Sequence, residues 1–252
     1  MLEIQNYDIY TTRMQKSMYD KMFFVDKIFD EGIDTFIDFG CADAELMCHL
    51  RVFMPKVRFI GYDIDENMLA KAREKAPWAE FYSNWDDIEV DPKKTVVNLS
   101  SVLHEIYHYG SHQDIELFWE RLRKPGFAYI TIRDMFAGKP MCYDAEWRKK
   151  ILVGGYGEQL RDFENYWGPI HTSNDLIHFL LKYRYKENWE REVRENYIPI
   201  TPESLMRRLH EYTAIYSQFS SLPYIVNQVQ KDFNINIADI PTHFKVILKN
   251  NE

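Results

Sequence analysis

Apolar positions along this chain follow two alternating periods. Met14, Met18, Met22, Val25 and Ile28 fall near one face of a helix over residues 14–30. DTFIDFG (34–40) then packs apolar residues into a short run that stops at Gly40, the pattern of a strand buried on both faces. AELMCHLRVFM (44–54) returns to helical spacing through Leu46, Met47, Leu50 and Phe53, and Pro55 ends it. The alternation continues with strand VRFIGYDI (57–64), helix ENMLAKAREKA (66–76) closed by Pro77, and strands AEFYS (79–83) and TVVNLSSV (95–102). Helix IELFWERLRK (115–124) and strand FAYITIRDM (127–135) complete it. Such alternation predicts a doubly wound α/β sheet. Ligands meet these sheets at the carboxyl ends of the strands, so the residues just after each strand are the candidates for chemistry.

About seventy residues after Asp134 go beyond what such a core requires. Thr172 or Ser173 caps a predicted helix carrying Leu176, Phe179, Leu180 and Tyr183 on one face. Thr201 with Pro202 marks another helix start. TAIYSQF (213–219) and THFKVILK (242–249) read as the last strands, with PYIVNQVQKDF (223–233) as the helix between them. The predicted organisation is an N-terminal helix and core over 1–135, a helical lid between strands five and six over 136–205, and the last core strands over 206–252.

Composition narrows the classes. With 46% hydrophobic residues and a formal net charge of −8, the chain can bury a large core, and its overall field does not favour a polyanion. Cys41, Cys48 and Cys142 are an odd number without metal-knuckle spacing, which points to a reducing interior and a cytoplasmic location. The first residues lack the apolar core of a signal peptide, and no apolar run is of membrane-spanning length.

The strand ends carry the chemistry. IDFGCADAE (37–45) is a strand turning into a helix, with small residues that let a ligand approach the backbone. GYDID (61–65) places Asp63 at the end of strand two, where a carboxylate can accept both hydroxyls of a ribose. Asp65 suits the cap of the following helix.

IDFGCADAE, GYDIDENML, VVNLSSVLHEIYH and LRKPGFAYITIRDM resemble, in order and spacing, the successive motifs of class I S-adenosylmethionine-dependent methyltransferases, and THFKVILK resembles that family's last strand. The resemblance covers roughly residues 10–135. It implies a Rossmann-like fold, a mostly parallel seven-stranded sheet, S-adenosyl-L-methionine as cofactor and transferase activity. It also implies roles. Asp38 and the backbone of Gly40, Cys41 and Ala42 face the methionine part; Asp63 holds the ribose and Ile64 packs on the adenine. Asn84, Trp85 or Asp86 borders the adenine, and Asn98 and Ser100 end the fourth strand beside the methionine part. Tyr10 and Arg13 close over the cofactor, Arg13 pairing with its carboxylate. The first motif departs from the family pattern in having Ala42 and Ala44 where the second and third glycines usually stand.

HEIYH (104–108) spells the helical signature of zinc peptidases. Gly110 and Ser111 break the helix before His112, no third ligand has recognisable spacing, and the preceding strands spell another enzyme, so no metal is expected. His104 and Glu105 are the candidates to line the reacting centre, with proton acceptance open to either. In the insertion, NYWGPIHTS (165–173) nominates His171 and Tyr166 to reach the same centre. Lys186, Arg191 and Arg194 interleave with Glu187, Glu190, Glu192 and Glu195, which reads as a solvated helix with local ion pairs. Three functions follow: O- or N-methylation of a small molecule in a lidded pocket, methylation of RNA or another macromolecule along an open groove, or a non-catalytic cofactor-binding or scaffolding module.

Overall fold

The computed structural model describes residues 17–28, 32–136, 138–141 and 145–251; Tyr10, Arg13 and Cys142 lie outside them. One sheet contains β1 (Thr35–Phe39), β2 (Arg58–Tyr62), β3 (Glu80–Tyr82), β4 (Thr95–Ser100), β5 (Tyr129–Met135), β6 (Tyr212–Ser220) and β7 (His243–Asn250). Its order is β3-β2-β1-β4-β5-β7-β6. The first five strands pair in parallel, and β7 runs antiparallel to both β5 and β6. Strand order reverses between β1 and β4, which opens a crevice at their carboxyl ends.

Strand periodicity divides the core between two faces. Ile37, Val97, Leu99, Ile130 and Ile132 join one cluster with Trp119 and Leu122. Their neighbours Phe36, Val96 and Tyr129 join another with Phe24, Met47 and Leu50. Full burial of a side chain such as Phe36 contributes about 1.5–3 kcal/mol.

The helices of the first half are α1 (Met18–Lys21), α2 (Glu45–Phe53), α3 (Glu66–Lys75), α4 (Leu103–Tyr109) and α5 (His112–Arg123). Asp65 caps α3 by accepting from the backbone of Asn67 and Met68. Ser111 and Asp114 form a capping box that starts α5, so His112 belongs to a new helix rather than continuing α4.

Between β5 and β6 lie α6 (Ala145–Val153), α7 (Gly157–Trp167), α8 (Ser173–Lys182), α9 (Trp189–Glu192) and α10 (Pro202–Arg208), and α11 (Pro223–Phe233) follows β6. Thr172 and Asp175 cap α8 reciprocally, and Thr201 caps α10. Phe163, Phe179 and Tyr183 pack with Val229 and Phe233 of α11 in a third cluster. The insertion therefore shares its apolar core with the connection between β6 and β7, and the expected boundary at 205/206 falls inside α10. The charged stretch 186–195 is not a solvated helix. It is a 3-10 turn and the four-residue α9, and it buries Arg191, Glu192 and Glu195 to 8%, 2% and 2% exposure. No helix among the described residues is long and apolar enough to cross a membrane.

Candidate active site

A cavity of about 720 Å³ opens along the carboxyl ends of β1, β2 and β4, and Asp38, Gly40, Cys41, Ala42, Asp63, Ile64, Ser100 and Glu105 all border it. The turn after β1 has an unusual backbone. Gly40, Ala42 and Ala44 all have positive φ, at 76°, 46° and 64°. A Cβ on Gly40 would lie 2.8 Å from Val102 Cγ2, so only glycine fits there. Ala42 and Ala44 accept the left-handed conformation with a side chain in place, which costs roughly 1–2 kcal/mol each.

The turn's amides are already engaged. Gly40 and Cys41 both donate to the Tyr62 carbonyl, at 2.8 and 3.0 Å. Ala42 N–H donates to Asp63 Oδ2 at 2.8 Å. These groups hold β1's turn against the end of β2 and do not offer a free row of donors to a ligand.

Asp38 sits in a buried polar row across three strands. Sheet register places Asp38 opposite Asn98, and Asn98 opposite Thr131. Asn98 donates to Asp38 Oδ1 at 2.8 Å and accepts from Thr131 Oγ1 at 2.8 Å. Asn98 thus positions Asp38 and does not itself border the cavity. Burial pushes the Asp38 carboxyl up to about 6, against the Asn98 hydrogen bond and nearby Lys21, which favour its charged form. Burial also raises Asp63, whose Oδ1 accepts from Asp65 N–H at 3.0 Å. Ile64 is 67% exposed at the cavity edge, an apolar face on offer to a flat ring. Ser100 Oγ is buried without a hydrogen-bond partner.

The residues expected to border the adenine stand apart from the cavity. Trp85 is core, packed against Phe39, Tyr62 and Phe127. Asn84 is exposed and caps the turn that Trp85 begins, and Asp86 accepts from Arg121 at 2.7 Å. Arg121 and Phe118, on α5, border the cavity in their place. Sequence reading missed both, because helical spacing assigned α5 to the core.

HEIYH forms α4, but its histidines do not act together. His104 is buried, with Nδ1 3.0 Å from Asp134 Oδ1, and its ring meets Tyr197 edge-on. Burial alone would lower its pKa; buried Asp134 overrides that and lifts His104 to about 9. Asp134 also accepts from the backbone of Leu103 and Met135, and its pKa is lowered. Among the described residues no group of three or more His, Cys, Asp or Glu is arranged to hold a metal ion.

A second, smaller chamber of about 100 Å³ adjoins the first and shares Lys21, Ser101, Glu105 and Arg191 with it. His104 borders only this chamber, together with Arg133, Glu192 and Glu195. Glu105 is raised by burial and lies 3.5 Å from Arg191 Nη2. Arg191 Nε also reaches Glu195 Oε1 at 2.8 Å. Burial and the charge of Glu195 push the Glu192 carboxyl up. Burial pulls Lys21 down to about 8. Two of these residues had a visible signal: Arg133 interrupts an apolar strand, and Lys21 falls in a helix whose neighbours are apolar. Arg191, Glu192 and Glu195 had none, since local charge alternation matches a solvated helix.

The insertion residues expected at the centre are elsewhere. His171 is exposed, and its backbone N–H donates to Asp175. Tyr166 is 55% exposed and stacks edge-on with Trp167. Neither residue borders either cavity.

No family model matches the chain, and no curated protein matches it by sequence. Solved structures do. MccD protein aligns with TM-score 0.54 and 11% identity over 92% of this chain and 96% of its own. The plantazolicin methyltransferase BamL, in complex with a triazolic desmethylPZN analog and SAH, aligns with TM-score 0.52 and 14% identity over 98% of this chain and 88% of its own. The mitomycin 7-O-methyltransferase MmcR aligns with TM-score 0.53 and 10% identity over 97% of this chain and 58% of its own. The chain has the class I methyltransferase fold. At these identities the shared property is the fold. Within that fold the crevice at β1, β2 and β4 is the place where Asp38 and Asp63 converge.

Proposed function

We propose that this chain is an S-adenosylmethionine-dependent methyltransferase that methylates an oxygen or nitrogen of a small molecule, with residues 136–205 closing the pocket as a lid. The observation that carries the reading is a pair of carboxylates, buried Asp38 and half-buried Asp63, at the ends of adjacent parallel strands on one cavity of about 720 Å³. The residues fit the cofactor. Asp38, ionised above about 6, suits its ammonium group. Asp63 keeps lone pairs for ribose hydroxyls beyond the two backbone N–H bonds it accepts. Ile64 offers an apolar face, and Ser100 Oγ an unpaired hydroxyl.

When bound, S-adenosylmethionine supplies an electrophilic methyl group on a sulfonium. The chain's own task is placement of the acceptor, which can supply much of the rate. Glu105 borders both cavities and is the group we assign to take a proton from an acceptor O–H or N–H. His104 is held cationic by Asp134 at neutral pH and serves as a positioning residue.

A small acceptor is favoured over RNA because Arg191, from the insertion, reaches the same cavity as Asp38, and because the adjoining chamber is small. The test is calorimetry with S-adenosylhomocysteine. Asp63→Ala should weaken binding by about 1–3 kcal/mol, the loss of charge-assisted hydrogen bonds. Unchanged affinity in a folded variant would place the ribose elsewhere. No binding by the wild-type chain would leave the non-catalytic reading, and salt-dependent RNA binding would favour the macromolecular one.

A further inference from the structure

Two arginines of the smaller chamber have donors left over. Arg133 Nε donates to Asp20 Oδ2 at 2.8 Å and Nη1 to Ser101 Oγ at 2.6 Å, while Nη2 is buried with no partner. Arg191 Nε reaches Tyr109 Oη and Glu195, Nη2 lies 3.5 Å from Glu105, and Nη1 is buried with no partner. Both residues are more than nine-tenths buried and border the same chamber. Burying an N–H donor of a cation without an acceptor is costly, so such groups mark a place for one. The carboxylates around the chamber already have partners: Glu195 accepts from Tyr109 and Arg191, Glu192 from Tyr197, and Glu105 from Arg191. None of them bonds to the two free donors.

We propose that this chamber is an acceptor subsite that takes a carboxylate of the methyl-accepting molecule between Arg133 and Arg191. The proposal rests on the methyltransferase reading and names its substrate class. The volume of about 100 Å³ holds on the order of three waters, which suits a carboxylate and one or two carbons. A single negative charge fits better than a dianion, because Glu105, Glu192 and Glu195 stand close by. Lys21, which borders both cavities and is near enough to Asp38 for their charges to interact, is the cation that would be available to the cofactor's own carboxylate. Arg133 borders only the smaller chamber.

The test uses the full chain saturated with S-adenosylhomocysteine, so that the cofactor carboxylate is already in place. Its binding, measured first by calorimetry, checks the methyltransferase reading separately. Acetate, acetamide and sulfate are then titrated at constant ionic strength while thermal melting is followed. Acetate should raise the midpoint by a saturable shift of a few degrees, and acetamide and sulfate should not. Arg133→Gln and Arg191→Gln should each abolish the shift. Saturation transfer from the wild-type chain to acetate methyl protons, competed by formate and not by acetamide, reads the same site if a variant fails to fold. A shift seen only without S-adenosylhomocysteine would assign the donors to the cofactor's carboxylate and overturn the proposal. Equal responses to acetate and acetamide, a response to sulfate alone, or a shift that survives in both folded variants would overturn it too.

Discussion

The two cavities share four residues and are built in opposite ways. The larger is made mainly by strand ends and the turns that follow them, so most of its groups come from short contiguous stretches, 38–45, 62–68 and 100–106, joined by residues of α1 and α5 and by Arg191. The smaller gathers single residues from α1, α4, β5, the α8–α10 stretch, α11 and β7. The first sets a few carboxylates and backbone groups in a mostly apolar lining. The second is polar because a network of buried ions ties the insertion to the core. A site of the first kind tolerates change in one side chain. In a site of the second kind each ion is another's counter-charge, and removing one strands its partner.

That contrast can be broken most directly at His104. His104→Ala leaves Asp134 charged and buried with only two backbone donors, and should destabilise the fold by about 3–5 kcal/mol in denaturant unfolding. A loss under about 1 kcal/mol would mean that the chamber's ions are not structural. The pH dependence checks the same pair. His104 is raised in the fold, so its contribution is complete below its unfolded value and is lost as pH rises through the folded value. Wild-type stability should therefore decline between about pH 6.5 and about 9, by about 3 kcal/mol, and His104→Ala should lose that slope.

At the larger cavity the effects should appear in binding more than in folding. Asp38 must be ionised to hold a cation, and its pKa is about 6. Affinity for S-adenosylhomocysteine should thus be flat near neutrality and fall by up to tenfold per pH unit below about 6. A pH-independent affinity from 5 to 7 would separate Asp38 from the cofactor's ammonium. The smallest effect belongs to the turn. Ala42→Gly removes a methyl from a left-handed residue and should stabilise by up to about 1 kcal/mol, after the added flexibility of glycine in the unfolded chain is set against the relieved strain. A lower melting temperature would show that the Ala42 methyl contributes packing that outweighs its strain.

The sheet was legible from the sequence because burial on both faces forces apolar runs, and the helices between them forced the other period. IDFGCADAE and GYDID announced the strand ends where Asp38 and Asp63 meet, since both acids lie on the stretch that positions them. Sequence alone also marked the starts of α8 and α10, where Thr172 and Thr201 accept from amides three residues away. Tertiary structure decided the rest. Asn98 became a support for Asp38 because sheet register set the two side by side across strands. Trp85 went to the core, and Arg121 came to the cavity from a helix whose spacing gave no hint of it. The charged run from Lys186 to Glu195 could be read locally only as a solvated helix. Its burial depends on His104, Tyr109 and the end of β5, residues roughly sixty to ninety positions away, and no local pattern encodes a counter-ion that distant.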